Sequence, residues 1–246
     1  MPQVVINKVE KAVKEYKKTG KSVLEISHRS SEFDELLNEI NLNFEKLFHL
    51  PKDFNVLLLQ GGATYQNTFV PMNIPKNLNL GCLVTGTWGR KTAEDYAKVF
   101  NNFNVFEARD RELETYLDKE YAGFQNIDFL HLTSNETIEG LQIQNFNTIN
   151  HKNLIIDMSS DLGSYNFKFN NLSYVYAGAQ KNMGIPGVTI CLVKEEFLTD
   201  SYRLACQAKI NNDLSDIKFN VLRRQPKILE DLNQKDLKLT KLKNLI

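Results

Sequence analysis

Apolar residues recur at helical spacing in two segments near the start of the chain. The first segment contains Val5, Val9 and Val13. The second covers residues 33–47 and begins just after Ser30 and Ser31. Serine is a favoured N-cap residue because its side-chain oxygen accepts a hydrogen bond from the first helical turn. These patterns predict two amphipathic helices at the start of the fold.

From residue 54 onward the apolar residues form short continuous runs separated by amphipathic stretches. The runs cover residues 55–59, 82–85, 104–107, 128–132, 154–157, 174–176 and 188–193. Short continuous runs suit strands that are covered on both faces, as in parallel sheets. The intervening helical segments are residues 64–73, 89–100 and 111–120. This order predicts an α/β fold with a mostly parallel sheet flanked by helices.

The composition and charge of the chain narrow its function classes. Its 246 residues are 42% hydrophobic, and 30 lysines and arginines balance 30 aspartates and glutamates. A net charge of zero offers no general attraction for nucleic acid or anionic lipid, so neither is an expected partner. No apolar run reaches the ~18 residues that span a membrane, and the first residues are lysine-rich, unlike a signal peptide. We expect a soluble, cytoplasmic protein.

The last part of the chain differs in composition from the rest. All twelve glycines lie at or before Gly187, whereas residues 201–246 contain ten Lys and Arg against five Asp and Glu. The shift predicts a boundary near residue 200, with a large domain over residues 1–200 and a divergent basic tail over residues 201–246.

The three cysteines and four histidines indicate neither a disulfide nor a metal site. Cys82 and Cys191 lie within apolar runs, Cys206 stands apart, and no C-x-x-C pair occurs. A free cysteine in such a run behaves as a small apolar core residue. The histidines do not share a helical face with a carboxylate, so metal-ligand spacing is absent.

Three positions at predicted strand ends carry candidate chemistry. Gly61 and Gly62 follow one strand, in a turn that either brings backbone N–H groups to a phosphate or only reverses the chain. Asp157 ends another strand, where it either faces a ligand or caps the next segment. Lys181 follows a third strand among small residues, an environment more typical of a Schiff-base lysine than of a solvated one.

Together these positions match the needs of pyridoxal 5'-phosphate (PLP). The cofactor needs its phosphate held, its pyridine nitrogen kept protonated by a carboxylate and its aldehyde captured by a lysine. An aspartate favours the protonated ring nitrogen through opposite charge. Trp88, the only tryptophan, lies in a glycine-flanked turn after a strand, where it either stacks on the ring or fills the core.

Six motifs along the chain resemble those of the phosphoserine aminotransferase family. They are Glu25-Ile-Ser-His-Arg-Ser30, Gln60-Gly-Gly-Ala63, Thr85-Gly-Thr-Trp88, Thr133-Ser-Asn-Glu-Thr-Ile-Glu-Gly140, Asp157-Met-Ser-Ser-Asp161 and Tyr176-Ala-Gly-Ala-Gln-Lys-Asn182. The resemblance implies the large domain of a fold-type-I PLP-dependent transferase, assembled as a homodimer. It also implies the exchange of an amino group between two small molecules, glutamate and 3-phosphohydroxypyruvate, in serine biosynthesis.

The same resemblance implies roles for individual residues. The implied cofactor contacts are Ala63, Thr64 and Gln180 to the phosphate, Trp88 and Thr133 to the ring, Asp157 to the ring nitrogen and Lys181 to the aldehyde. Asp157 and Lys181 would be the catalytic residues, with Lys181 also transferring the proton. His28 and Arg29 would bind the anionic substrate, since a guanidinium meets a carboxylate or phosphate with two hydrogen bonds.

The chain also departs from that family in its C-terminal part. We expect the small domain to be shortened or replaced, and with it the family's arginine for the substrate carboxylate and its Asn-Thr pair for the neighbouring subunit's phosphate. An alternative is a PLP-binding remnant with little or no activity. A Rossmann-like nucleotide-binding module is the least supported alternative, because residues 78–81 lack the acidic ribose contact such a module needs.

Overall fold

A seven-stranded sheet forms the centre of the fold. The computed structural model describes residues 1–108, 112–118 and 120–198, so the predicted tail over residues 201–246 lies outside the described residues. The helices are α1 (Gln3–Lys14), α2 (Ser31–Phe48), α3 (Ala63–Asn73), α4 (Thr87–Ala97) and α5 (Glu112–Tyr116). The strands are β1 (Phe54–Gln60), β2 (Leu80–Val84), β3 (Phe103–Glu107), β4 (Phe129–Thr133), β5 (Asn135–Glu136), β6 (Leu141–Gln142), β7 (Leu154–Asp157), β8 (Leu172–Gly178) and β9 (Val188–Lys194). Short 3-10 helices cover Val23–Glu25, Phe146–Thr148 and Glu195–Phe197.

The directions of the strands determine which of the connecting loops lie at the same edge of the sheet. The sheet has the order β1-β9-β8-β7-β4-β2-β3, and β5 and β6 form a separate hairpin. The four pairs from β8 to β3 are parallel, whereas β9 is antiparallel to both β1 and β8. Strand β1 therefore runs in the same direction as the other five parallel strands. All six end at one edge of the sheet, called the carboxyl edge below.

The central strands are buried on both faces, which explains their continuous apolar runs. On one face, Tyr96 of α4 and Val70 of α3 pack in a cluster with Tyr176 of β8. On the other face, Leu132 and Ile156 belong to a second, larger cluster. Because both faces are covered, neither can carry the alternating polar residues of a half-exposed sheet.

The structure confirms the seven predicted strands and the mostly parallel sheet. The helix predicted over residues 111–120 is shorter, and its described part is Glu112–Tyr116. The crossover from β4 to β7 contains the β5–β6 hairpin, which was not predicted, instead of a helix. This crossover is held by polar contacts to Asp161, which accepts hydrogen bonds from Ser134 Oγ at 2.6 Å and Gln142 Nε2 at 3.0 Å.

The two N-terminal helices differ in how they pack. Helix α2 reaches the larger core cluster through Phe44 and Phe48, whereas α1 has no buried residue and exposes Val5 and Val9. Cys82 and Cys191 are buried free thiols, which confirms their prediction as core residues. Cys206 lies outside the described residues. Within the described part of the chain, no helix is long and apolar enough to cross a membrane.

Candidate active site

The carboxyl edge brings together residues that are far apart in the sequence. The strand register pairs Thr133 at the end of β4 with Asp157 at the end of β7. Lys181 lies in the turn that follows β8, the next strand of the sheet. The backbone N–H of Gly61, after β1, donates to the carbonyl of Gly187 at 2.9 Å. This bond ties the glycine turn to the segment that follows Lys181.

The glycine turn leaves the start of α3 open. Gly61 and Gly62 have φ angles of +104° and +67°, a region that side-chain-bearing residues rarely adopt. A Cβ at Gly61 would also lie 2.0 Å from the ring of Tyr65. No side chain caps the helix, which begins at Ala63 and continues with Thr64. The first N–H groups of α3 can therefore bind an anion such as a phosphate.

The start of α4, at the same edge, is occupied by carboxylates of the chain itself. Glu136 accepts hydrogen bonds from the N–H groups of Trp88 at 2.9 Å and Gly89 at 2.8 Å. Glu139 accepts from the N–H of Thr87 at 2.9 Å and from its hydroxyl at 2.6 Å. Of these two helix starts, only that of α3 is left free of side chains for a phosphate.

Asp157 is a half-buried carboxylate held by neutral donors. Its Oδ1 accepts hydrogen bonds from the N–H of Ser159 at 2.9 Å and from the Ser159 hydroxyl at 2.6 Å. The N–H of Gly178, at the end of β8, donates to the same hydroxyl at 3.1 Å. Burial raises the pKa of Asp157, and the Ser159 hydrogen bonds oppose that rise. A cation placed beside this carboxylate would favour its ionised form.

Behind Asp157 lies a buried chain of polar side chains. His131 Nε2 lies 3.0 Å from the hydroxyl of Tyr176, and His131 Nδ1 lies 3.6 Å from the sulfur of Cys82. Burial lowers the pKa of His131 to about 3, so its ring is neutral at pH 7. Tyr176 is paired in register with Asp157, and a hydrogen bond from its hydroxyl lowers the pKa of that carboxyl.

Thr133 and Trp88 have properties that suit residues in contact with the ring of a bound cofactor. The hydroxyl of Thr133 is buried and has no hydrogen-bond partner among the described residues. Buried hydroxyls are seldom left unpaired, so a ligand group at this position would satisfy it. The indole of Trp88 is 41% exposed, and its Nε1 donates to the hydroxyl of Thr137 at 2.9 Å. Trp88 therefore does not fill the core.

Lys181 projects from a turn with a fixed backbone. The carbonyl of Ala179 accepts hydrogen bonds from the N–H groups of Met183 at 2.9 Å and Gly184 at 2.7 Å. Lys181 is exposed, and its ammonium has no hydrogen bond or ion pair with a described residue. Gln180 lies beside Gly178, since a Cβ there would be 2.8 Å from its Oε1. The amine of Lys181 is thus available to a ligand.

The structure does not join His28 and Arg29 to these residues. Both lie in an exposed segment before α2, and the backbone N–H of Arg29 donates to the hydroxyl of Ser27 at 3.2 Å. Among the described residues, neither side chain has a hydrogen bond or ion pair with a residue of the carboxyl edge. The geometry of one chain therefore leaves their predicted substrate contact without a site.

Four residues of the site were missed by sequence reasoning: Ser159, Glu136, Thr137 and Glu139. Ser159 had a local signal, because an aspartate commonly accepts a hydrogen bond from the backbone two residues later. The three hairpin residues lie within the family-resembling motif over residues 133–140, but no local pattern indicates their contacts, since their partners are about fifty residues away along the chain.

The aminotransferase class-V family model matches residues 1–227. The chain belongs to this family. Phosphoserine aminotransferase from Alkalihalobacillus alcalophilus is 38% identical over 203 residues, which are 80% of this chain and 55% of that protein. The enzyme of the same name from Lactococcus lactis subsp. cremoris strain SK11 is 33% identical over 214 residues, or 83% and 59% of the two chains. The chain thus spans 55–59% of the length of these relatives.

Solved structures of the class-V family show the same fold. Phosphoserine aminotransferase from Bacillus circulans subsp. alkalophilus superposes with a TM-score of 0.69 at 33% identity, over 80% of this chain and 55% of that one. The PLP-bound enzyme from Trichomonas vaginalis gives a TM-score of 0.70 at 25% identity, over 80% and 59% of the two chains. These similarities confirm the PLP-dependent aminotransferase fold and the resemblance to phosphoserine aminotransferases.

The buried neutral His131 predicts a pH-dependent stability. Its pKa is about 3 in the folded chain and about 6.5 when unfolded, so the unfolded chain binds more protons between these values. Stability should therefore fall as the pH drops through this window. His131 alone should remove about 2.5 kcal/mol of unfolding free energy between pH 7 and pH 4.5.

Urea unfolding at the two pH values measures this contribution. Between pH 7 and pH 4.5, the unfolding free energy of His131→Gln should fall by about 2.5 kcal/mol less than that of the unsubstituted chain. The matched control is His28→Gln, which changes an exposed histidine and should leave the pH dependence unaltered. Equal pH dependence in His131→Gln and the unsubstituted chain would contradict the prediction.

Proposed function

We propose that the chain binds PLP and transfers an amino group between glutamate and 3-phosphohydroxypyruvate, the phosphoserine transaminase reaction of serine biosynthesis. The observation that carries the proposal is the convergence, at one sheet edge, of a half-buried carboxylate, an unpaired hydroxyl, an unpaired lysine and an uncapped helix start. The names of the relatives supply the substrates. The nucleotide-binding alternative has no support from the family match.

The residues at this edge fit the chemical groups of PLP. The N–H groups at Ala63 and Thr64 would hold the phosphate together with Gln180, because α3 has no cap of its own. The unpaired hydroxyl of Thr133 would bind the ring hydroxyl. The protonated ring nitrogen would supply the cation that favours the ionised form of Asp157, whose pKa is raised by desolvation.

Each residue then has a distinct task in transamination. Bound PLP supplies an electron sink for the charge left on the substrate when its α-proton is removed. Asp157 keeps the ring nitrogen protonated, and Trp88 covers the ring and excludes water from it. Lys181 would hold the cofactor through its aldehyde in the absence of substrate. When free, the amine of Lys181 would accept the proton from the substrate α-carbon and donate it to the former aldehyde carbon of the cofactor.

We further propose that the chain works as a homodimer in the cytoplasm. His28 and Arg29 have no described partner at the carboxyl edge of their own chain, which supports a role at the edge of a second copy. The exposed apolar residues of α1, including Val5 and Val9, provide surface that association can cover. In this arrangement each substrate site takes its lysine from one chain and its arginine from the other.

The proposed lysine can be identified by chemical trapping. Borohydride treatment of the protein with PLP should attach the cofactor irreversibly to Lys181, which peptide mapping by mass spectrometry would show. Lys181→Ala should abolish the labelling, and Lys168→Ala, which removes another exposed lysine, should not. Labelling of Lys194 instead would overturn the assignment.

The transaminase reaction can be tested as a half-reaction with glutamate. Addition of glutamate to the PLP-loaded chain should move the visible absorption band of the aldehyde form to the ultraviolet band of the amine form. Asp157→Asn should slow this change roughly hundredfold, since a neutral amide does not hold the ring nitrogen protonated.

The exposed Asp34→Asn is the control for this half-reaction and should behave like the unsubstituted chain. An unshifted band in a chain labelled at Lys181 would favour the inactive PLP-binding remnant. An unslowed half-reaction in Asp157→Asn would contradict the role of that carboxylate.

The homodimer is testable by light scattering at micromolar concentration. We expect twice the chain mass of 28.3 kDa. Arg29→Ala should leave the dimer intact and weaken the binding of 3-phosphohydroxypyruvate by about thirtyfold or more, the usual consequence of losing a charge-assisted contact. A stable monomer, or full substrate affinity in Arg29→Ala, would refute the shared site.

A further inference from the structure

The turn that carries Trp88 lacks a capping side chain of its own. Helix α4 begins at Thr87, directly after strand β2 and Thr85-Gly86, and its N-cap position is Gly86. The first N–H groups of any α-helix have no partner within the helix. At the start of α4, where burial excludes water from Gly89, those groups need acceptors from another part of the chain.

The acceptors are the two carboxylates of the β5–β6 hairpin. Glu136 is fully buried and divides its oxygens, with Oε1 bound to the N–H of Gly89 and Oε2 bound to that of Trp88. Glu139 binds both the N–H and the hydroxyl of Thr87. Negative charge at this position is stabilised by the positive end of the helix dipole.

Glycine at two positions makes room for these carboxylates. A Cβ on Gly86 would lie 2.5 Å from Glu139 Oε2 and 2.8 Å from the carboxyl carbon of Glu136. A Cβ on Gly89 would lie 2.9 Å from Glu136 Oε1. The two glycines that flank the tryptophan and the two glutamates of the hairpin are therefore complementary in shape.

The same hairpin also holds the indole ring. Thr137, between the two glutamates, accepts the hydrogen bond of Trp88 Nε1 at 2.9 Å. Backbone and ring of Trp88 are thus fixed at separate points by neighbouring hairpin residues, although the ring is 41% exposed. An exposed aromatic ring held in one orientation loses little conformational entropy when a ligand stacks on it.

We propose that Glu136, Thr137 and Glu139 are positioning residues that lock Trp88 in its orientation before any ligand binds. The inference deepens the proposed function, and rests on it for the identity of the ligand, a planar PLP ring. We assign none of the three residues a contact with the PLP ring. They act through Trp88, whose fixed indole presents a ready stacking surface.

Because Trp88 is the only tryptophan, its fluorescence reports on this turn without interference. In the cofactor-free chain, Thr137→Val and Glu136→Ala should lower the fluorescence anisotropy and increase acrylamide quenching about twofold, since the indole gains freedom when a hydrogen bond is lost. Glu94→Ala, an exposed change on the same helix, is the control and should alter neither.

Thr137→Val also separates positioning from stability. This variant keeps both glutamates, so its urea unfolding midpoint should stay unchanged while the anisotropy falls. Its dissociation constant for PLP, measured by quenching of Trp88, should rise about three- to tenfold, the effect of one lost hydrogen bond. A structural role alone would not change the affinity of a fully folded variant.

Three results would decide against the inference or its premise. Unchanged anisotropy and quenching in folded Thr137→Val would overturn it, whether or not Glu136→Ala folds. A fall in anisotropy without any change in the dissociation constant for PLP would overturn the positioning role. Absence of PLP binding to the unsubstituted chain would instead refute the proposed function, while the anisotropy comparison would still test the locked indole.

Discussion

The antiparallel placement of β9 between β1 and β8 is the constraint on which the candidate site depends. Because β9 runs against both neighbours, β1 regains the direction of the other parallel strands. The glycine turn after β1 therefore lies at the same edge as Asp157 and the turn that carries Lys181. The bond from Gly61 N–H to the Gly187 carbonyl closes this arrangement. If β9 were antiparallel to only one of these two neighbours, β1 would run against the other parallel strands, and its glycine turn would lie at the opposite edge of the sheet.

The carboxylates near the carboxyl edge accept hydrogen bonds from neutral donors. Glu136, Asp157 and Asp161 are held by backbone N–H groups, hydroxyls or an amide, and none forms an ion pair with a described residue. Burial raises the pKa of both Glu136 and Asp157. The charge of Glu136 is stabilised by the N–H groups at the start of α4, whereas the hydrogen bonds to Asp157 Oδ1 come from Ser159, which belongs to no described helix. A bound cation is therefore stabilised most effectively beside Asp157.

Sequence patterns predicted the sheet because burial on both faces leaves a continuous apolar run, as in Leu80–Val84. They also predicted that Asp157 ends a strand and that Lys181 follows one, as the structure has them, and a ligand site in a parallel sheet lies at such strand ends. The environment of these residues depends on contacts between distant segments, which no local pattern encodes. Glu136 looks like a surface acid in the sequence, yet it is fully buried at the start of α4. The hairpin that carries it lies in the crossover from β4 to β7, for which the sequence patterns predicted no element.

Under the proposed function, cofactor binding and substrate binding have different physical requirements. The groups proposed to hold PLP all lie at one edge of a single sheet, in segments whose backbone is fixed by hydrogen bonds. The proposed substrate contacts, His28 and Arg29, lie in an exposed segment without a described partner. A guanidinium gains most from an anion when both are shielded from water. In the proposed function, Arg29 would therefore select a phosphorylated substrate only after another surface encloses it, whereas Asp157 would need no such step to favour a cation.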